Sequence, residues 1–120
     1  MSIIKNVKIG NTSYAIITGA EAKTSSSASV TIAPDSFVND STAITSATLT
    51  VSADTDVVHE WGAVFTTGDS QTSVTIAMSD SSTINWMTSP SNLVTSTKYC
   101  FSVVGNSTVG YIGTIVPLLY

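Results

Sequence analysis

Apolar and polar residues alternate on both sides of a two-residue break near the start of the chain, in the stretch KIGNTSYAII at residues 8–17. Such alternation is typical of half-buried β-strands, and a Gly-Asn dipeptide suits a type II′ hairpin loop. With that dipeptide as the loop, Ile9 pairs with Thr12 and Val7 pairs with Tyr14. One face of the predicted hairpin then carries apolar and aromatic residues: Ile3, Val7, Ile9, Tyr14 and Ile16.

This hairpin needs a surface to lie on, because an isolated two-stranded hairpin is only marginally stable in water. Its apolar face is expected to bury against a partner or against the rest of the chain. The following stretch, GAEAKTSSS at 19–27, is small and polar, which is typical of a linker or of an ordinary long loop. We therefore expect an attachment hairpin at 1–20, a linker at 21–27 and a folded domain at 28–120.

Seven further runs with strand character follow at a spacing of about ten residues, separated by turn-forming stretches such as TGDSQ and SPSN. The runs lie at 29–34, 43–53, 56–67, 72–79, 82–87, 97–105 and 108–117. The run at 97–105 is apolar on both faces, as expected of a central strand. No long stretch keeps a helical period. The pattern predicts an all-β protein with an N-terminal β-hairpin and a seven-stranded antiparallel sandwich.

Composition supports a β-rich fold and excludes several partners. The chain has 120 residues, which suits one domain, and 20 Ser and 19 Thr, which favour strands and turns over helices. A net charge of −4 without any Arg argues against nucleic-acid binding. No apolar run is long enough to span a membrane. One cysteine and no signal-like start predict a complete, leaderless chain that folds in a reducing cytoplasm.

The segment LVTSTKYCFSVVGNSTVG at 93–110 resembles the fibronectin type III family. The family has a Leu six positions before a Tyr, a Thr two before it, an alternating strand, and then Asn and Gly in the next turn. The positions that match are Leu93, Thr97, Tyr99, Phe101, Val103, Asn106 and Gly110. The resemblance implies an immunoglobulin-like module over residues 28–117, with a structural tyrosine corner formed by Leu93, Thr97 and Tyr99.

A second segment, EWGAVFTTG at 60–68, is similar to the third strand of fibronectin-like modules in bacterial surface and phage proteins. Two features depart from the family. Ala47, Leu49 and Val51 occupy the second strand, where the family usually carries a Trp, and VTST stands where it prefers Pro-Gly. A single cysteine also excludes the paired cysteines of antibody domains.

The opening IKNVKIGNTSYAII is similar to hairpins that begin many head-fibre and tail proteins of tailed bacteriophages. This resemblance implies a non-enzymatic virion structural protein, either a capsid decoration or auxiliary protein or a head-fibre or tail component. Its partners would be the major capsid protein or other head or tail proteins, and it would join the virion in the host cytoplasm. Self-association and a host-surface glycan stay open as further partners.

The alternative function is a carbohydrate- or protein-binding adhesion module that would use Trp86 or the 68–72 loop. Trp61, in a long strand, is expected in the core.

The candidate catalytic and metal-ligating residues do not form a recognisable pattern. His59 is the only histidine and is expected to face outward. GNSTV has Val109 where a nucleophile elbow needs Gly. Cys100 is expected to be a small buried hydrophobe. Asp54 and Asp56 supply too few oxygens for calcium. We therefore predict no enzyme activity, no catalytic residue, no cofactor and no metal.

Overall fold

The computed structural model describes residues 6–9, 12–15, 21–53, 55–70 and 73–118. These residues form strands and no helix, so the all-β prediction is confirmed. No helix that could cross a membrane is found among them. The strands are β1 (Asn6–Ile9), β2 (Thr12–Ala15), β3 (Glu21–Ser25), β4 (Ser29–Ile32), β5 (Ser36–Asp40), β6 (Ser46–Leu49), β7 (His59–Thr66), β8 (Thr75–Met78), β9 (Ile84–Trp86), β10 (Lys98–Asn106) and β11 (Gly110–Pro117).

Strands β1 and β2 form an antiparallel two-stranded sheet of their own. The register is the predicted one, with Val7 opposite Tyr14 and Ile9 opposite Thr12. The predicted loop at Gly10 and Asn11 lies outside the described residues. The backbone pairing therefore agrees with the alternation in the sequence.

The remaining strands form two larger sheets. The six-stranded sheet has the order β3-β5-β7-β10-β11-β9, and the three-stranded sheet has the order β4-β6-β8. Strand β10 lies between β7 and β11, so the prediction that the run at 97–105 is a central strand is confirmed. Strand β3 occupies most of the segment that was expected to be a linker, and it pairs with β5 at the edge of the six-stranded sheet.

The sheets are mixed, so the prediction of an antiparallel arrangement is wrong. Only β7, β10 and β11 pair antiparallel within the two larger sheets, whereas β3-β5, β5-β7, β4-β6, β6-β8 and β9-β11 are parallel pairs. The reason is the chain path. From β3 to β8 the chain alternates between the two sheets, so each strand's neighbour in its own sheet is two strands away and runs in the same direction.

Beyond residue 20 the described chain contains nine strands, where the sequence pattern predicted seven. The two additional strands are β3 and β5. Strand β3 is EAKTS, without a large apolar residue, and β5 is SFVND, which follows a Pro-Asp turn. Their edge or near-edge positions require little apolar alternation, and for that reason neither produced a strand signal.

One hydrophobic cluster takes its residues from both larger sheets. The three-stranded sheet contributes the fully buried Ile32 and Leu49, and the six-stranded sheet contributes Trp61, Phe65 and Phe101. Burying side chains of this size contributes roughly 1.5–3 kcal/mol each. We call the cluster-facing side of the six-stranded sheet the inner face and the opposite side the outer face.

Candidate functional site

The structure places three of the five residues predicted to bind a partner. Val7 and Ile9 lie in β1 and Tyr14 lies in β2, with Val7 and Tyr14 directly opposite each other. Ile3 and Ile16 lie outside the described residues. The backbone register thus brings Val7 and Tyr14 to one level of the hairpin, and their role in partner binding stays a prediction.

The predicted tyrosine corner has its hydrogen bond. Tyr99 is 5% exposed, and its hydroxyl oxygen accepts a hydrogen bond from the backbone N–H of Val94 at 2.8 Å. Leu93 beside it is buried in the hydrophobic cluster. The Tyr99 ring stacks on Phe65 at a centroid distance of 6.1 Å. The phenol therefore ties the segment before β10 to the core while its ring fills the inner face.

Thr97, the third predicted member, contributes its backbone N–H, which bonds to a side chain just after β7. Its N–H donates to the Thr67 hydroxyl at 2.9 Å, and that hydroxyl donates to the carbonyl oxygen of Val94 at 2.7 Å. Thr67 is buried and follows directly after β7. Sequence reasoning did not single out Thr67, although its place at the end of EWGAVFTTG was visible. The corner is therefore a hydrogen-bond network that joins the residue after β7 to the segment before β10.

Asn106 holds together the turn at the opposite end of β10. Its side-chain oxygen accepts from the backbone N–H of Thr108 at 3.0 Å and of Val109 at 2.9 Å, and its side-chain nitrogen donates to the carbonyl oxygen of Thr55 at 2.8 Å. Asn106 is buried, so these bonds satisfy a polar group that water does not reach. The residue links the β10–β11 turn to the loop before β7.

His59 faces the inner side of β7 and is 6% exposed, so the prediction that it faces outward is wrong. Its Nδ1 lies 2.8 Å from Oδ2 of Asp35, and its ring contacts Trp61 edge to face. Asp35 adopts a left-handed φ of 59°, which Asp tolerates. The Nε2 atom of His59 has no hydrogen-bond partner among the described residues. The pair closes one end of the core.

Cys100 is only half-buried and lies on the outer face, so the prediction of a buried core thiol is wrong. Its neighbours in β10, Tyr99 and Phe101, point inward instead, because side chains alternate along a strand. Partial burial raises the pKa of the Cys100 thiol above its usual value. The register places Cys100 opposite Val64 and Val116 on the neighbouring strands.

The two tryptophans have different surroundings. Trp61 is fully buried, as predicted, and its Nε1 donates to the carbonyl oxygen of Thr50 at 3.1 Å. Trp86 in β9 is half-buried and packs against the core. A Cβ added to Gly113 would lie 2.6 Å from Cε3 of Trp86, so the ring occupies the space that this glycine leaves open. One face of the Trp86 ring is therefore used inside the protein.

No group of three or more potential metal-ligating side chains occurs among the described residues. Asp54, one of the two carboxylates in the loop before β7, lies outside them.

The outer face of the six-stranded sheet carries an apolar patch. Register places Val64 opposite Cys100, Cys100 opposite Val116, and Val104 opposite Ile112. The Phe37 ring lies across Gly62, where an added Cβ would come within 2.8 Å of Phe37 Cδ2. We call this set the outer patch, and it consists of Phe37, Val64, Cys100, Val104, Ile112 and Val116. Ile112 is 52% exposed and Val116 is 42% exposed, so the patch is accessible to solvent.

Charge on this face is sparse and lies at two opposite ends. Alternation and register show which charged residues of the six-stranded sheet's strands lie on the outer side. They are Glu60 and Lys98 alone. Glu60 pairs with Val104 near one end of β10, and Lys98 pairs with Thr66 at the other end. Six residues separate Lys98 from Val104, so the two charges are about 20 Å apart.

The protein is an all-β chain with mixed sheets around one core. Comparison of the chain with protein-family models, with curated proteins and with solved structures returned no match.

Proposed function

We propose that the chain is a non-enzymatic structural protein of a bacteriophage virion, a capsid decoration or auxiliary protein or a head-fibre or tail component. In this proposal β1 and β2 attach the protein to a head or tail protein, and the remaining chain is displayed. The observation that carries the proposal is the hairpin itself. Strands β1 and β2 pair with each other in a separate two-stranded sheet and do not join either larger sheet.

Attachment would use the side of the hairpin that the sequence makes apolar. Covering even ~400 Å² of apolar area contributes on the order of 10 kcal/mol before the costs of association. Repetition of the protein on a symmetric particle would add avidity to each contact. Strand addition to a partner's sheet is a second route, since an edge strand offers unpaired backbone groups.

For the displayed part we propose an immunoglobulin-like sandwich related to fibronectin type III modules. The hydroxyl of Tyr99 bonds to the backbone five residues upstream, and Asn106 and Gly110 shape the next turn, as the family resemblance implies. The core cluster shared by the two larger sheets also supports two packed layers. The parallel pairs distinguish this arrangement from the antiparallel sandwich of the family.

Glycan or protein adhesion is the alternative, and it would depend on Trp86 or on the 68–72 loop. Because Trp86 already covers Gly113, only one face of its ring is free to stack on a sugar. A glycan array probed with the full chain and with Trp86→Ala distinguishes the two functions. Specific binding that the substitution abolishes would favour adhesion over attachment to a particle.

The test of the attachment proposal compares the full chain with residues 21–120. This truncation keeps every strand of the two larger sheets, because β3 begins at Glu21. We expect the full chain to co-sediment with virions and the truncated chain to stay in the supernatant with an unchanged β-type circular dichroism spectrum. Truncated protein that binds as before would refute attachment through the hairpin, and truncated protein that does not fold would place the hairpin in the core.

A matched pair of substitutions gives a finer control. Tyr14 is on the predicted apolar face, and its neighbour Ser13 is on the opposite one. We expect Tyr14→Asp to abolish co-sedimentation and Ser13→Asp, which adds the same charge, to leave it unchanged. Equal loss in both variants would argue for a non-specific effect of negative charge.

A further inference from the structure

We propose that the outer face of the six-stranded sheet is an interface between two copies of this chain. The two copies pack outer patch to outer patch around a two-fold axis that lies parallel to the sheet and across its strands. The partner is therefore a second molecule of the same protein, and the contact is separate from the hairpin.

The apolar character of the outer patch is the first support. Val104, Ile112 and Val116 are 37%, 52% and 42% exposed, although they lie on β10 and β11, in the interior of the sheet order. Register groups these residues in two apolar rows, Val104 with Ile112 and Cys100 with Val116, on either side of the row that contains Ser102 and Thr114. Exposed apolar side chains grouped in the middle of one sheet face are typical of an interaction site.

Flatness is the second support. The row between the two apolar rows contains Gly62, Ser102 and Thr114, which pair in register across β7, β10 and β11, and it continues to Phe37 on β5, opposite Gly62. Gly62, Ser102 and Thr114 are small, so the face lacks a bulky polar group at its centre. The Phe37 ring lies over Gly62 and fills the space that this glycine leaves in the row. A second sheet can therefore approach at the usual face-to-face spacing of about 10 Å.

Charge selects the second copy as the partner and fixes its orientation. Glu60 and Lys98 are the two charged residues that the described strands of this sheet place on the outer face, and they lie at opposite ends of the paired strands β7 and β10. A two-fold axis across the strands reverses the second copy, so Lys98 of each copy lies over the end that carries Glu60 of the other. An axis along the strands would instead keep the Glu60 ends together. Only the first arrangement pairs opposite charges, and symmetry provides that pair twice.

No ion pair within the described part of the chain involves the side chain of Glu60 or Lys98. At about 20 Å the two residues are also too far apart to pair with each other in one molecule. Both charges are therefore available to a partner whose face carries the opposite sign at each end. A second copy meets that requirement without any additional assumption.

Charge reversal in the full chain tests the arrangement. We expect sedimentation-velocity analysis from micromolar to millimolar concentration to show a reversible dimer. Glu60→Lys and Lys98→Glu should each raise the dissociation constant by about tenfold, because each variant creates two like-charge contacts in its homodimer. A one-to-one mixture of the two variants should regain the original affinity, because both contacts of the mixed dimer are again of opposite sign.

An apolar substitution with a matched control tests the patch. Ile112→Ser should weaken the dimer by tenfold or more, since symmetry removes two side chains from the interface. Val109 is 66% exposed in the β10–β11 turn, away from the outer face, and Val109→Ser should leave the dissociation constant unchanged. Thermal unfolding of each variant confirms that it is folded. The rate at which a maleimide labels Cys100 should fall as the protein concentration rises.

Three results would overturn the proposal. The first is a protein that stays monomeric up to millimolar concentration. The second is an oligomer that is insensitive to Ile112→Ser, which would point to association through another surface such as the hairpin. The third is a mixture of the two charge variants that associates no better than either variant alone. None of these results bears on attachment to virions, which the deletion of residues 1–20 tests separately.

Discussion

Replacing Tyr99 by Phe removes one oxygen atom from the core and tests the tyrosine corner directly. The ring that stacks on Phe65 remains, so packing changes little. The lost hydroxyl accepts the 2.8 Å hydrogen bond from the N–H of Val94. A typical hydrogen bond contributes about 0.5–1.5 kcal/mol to stability, and a buried donor left unsatisfied costs about 1–3 kcal/mol. Because this N–H is partly buried, we expect Tyr99→Phe to lower the free energy of unfolding by about 1–2 kcal/mol.

The assay is urea denaturation followed by tryptophan fluorescence, with thermal unfolding as a second measurement. The expected loss lowers the melting temperature by roughly 4–9 °C for a domain of this size. Tyr111→Phe is the matched control, because Tyr111 is 3% exposed on the same inner face and its hydroxyl makes no hydrogen bond to another described residue. A Tyr99→Phe variant that is as stable as Tyr111→Phe would refute the assignment of stability to the corner.

Two further predictions concern the turn after β10 and alkaline pH. Gly105→Ala should unfold the protein at room temperature, because its Cβ would lie 1.9 Å from the carbonyl oxygen of Gly110. Gly110→Ala would place its Cβ in ordinary contact with Asn85 Nδ2 at 4.0 Å and should cost only about 1 kcal/mol for its positive φ. Equal melting temperatures of the two variants would contradict this. Burial, with a smaller effect from the charge of Asp80, raises the pKa of Tyr111 above its usual value of 10.0. The neutral Tyr111 side chain therefore contributes stability below pH 10, and this contribution is lost as pH rises through the folded-state pKa. The Tyr111→Phe variant should therefore lose less stability than the natural chain between about pH 9 and pH 11 in urea titrations, and identical pH profiles would count against it.

Local patterns in the sequence predicted the hairpin and the central strand well. Strict alternation around a Gly-Asn dipeptide leaves one register that keeps the apolar residues on one face, and the observed pairing of Val7 with Tyr14 is that register. The run at 97–105 has apolar residues at every second position, and β10 occupies the middle of the larger sheet. Both features depend on residues close together in the chain, where propensity and periodicity are informative.

Strand direction depended on information that local patterns do not contain. Alternation predicts which residues face inward, but it does not indicate whether the next strand joins the same sheet or the opposite one. The short connections from Ser25 to Ser29 and from Ile32 to Ser36 suit either a hairpin or a passage between sheets. Here they pass between sheets, and that path makes β3, β5 and β7 parallel neighbours.

The orientation of His59 shows a similar limit. A lone histidine beside Glu60 was expected at the surface, yet alternation from Trp61 requires His59 and Trp61 to share one face of β7. Burial of the ring is tolerated because Asp35, 24 residues away, provides a carboxylate 2.8 Å from Nδ1. Such a long-range partner gives no signal in a single sequence, although the alternation alone would have placed the side chain.

A strand with apolar residues on both faces has either both faces buried within one chain or one face left to cover a partner. The exposure of the residues in β10 distinguishes these two explanations. If both faces were buried inside one chain, Cys100 and Val104 would be as inaccessible as Phe101 and Val103. Instead Phe101 and Val103 are fully buried while Val104 is 37% exposed and Cys100 is half-buried. The neighbouring strands of the sheet thus cover the outer apolar face of β10 only in part. The dimer proposed above would bury the rest of this face, and for that reason it depends on the central strand of the sheet.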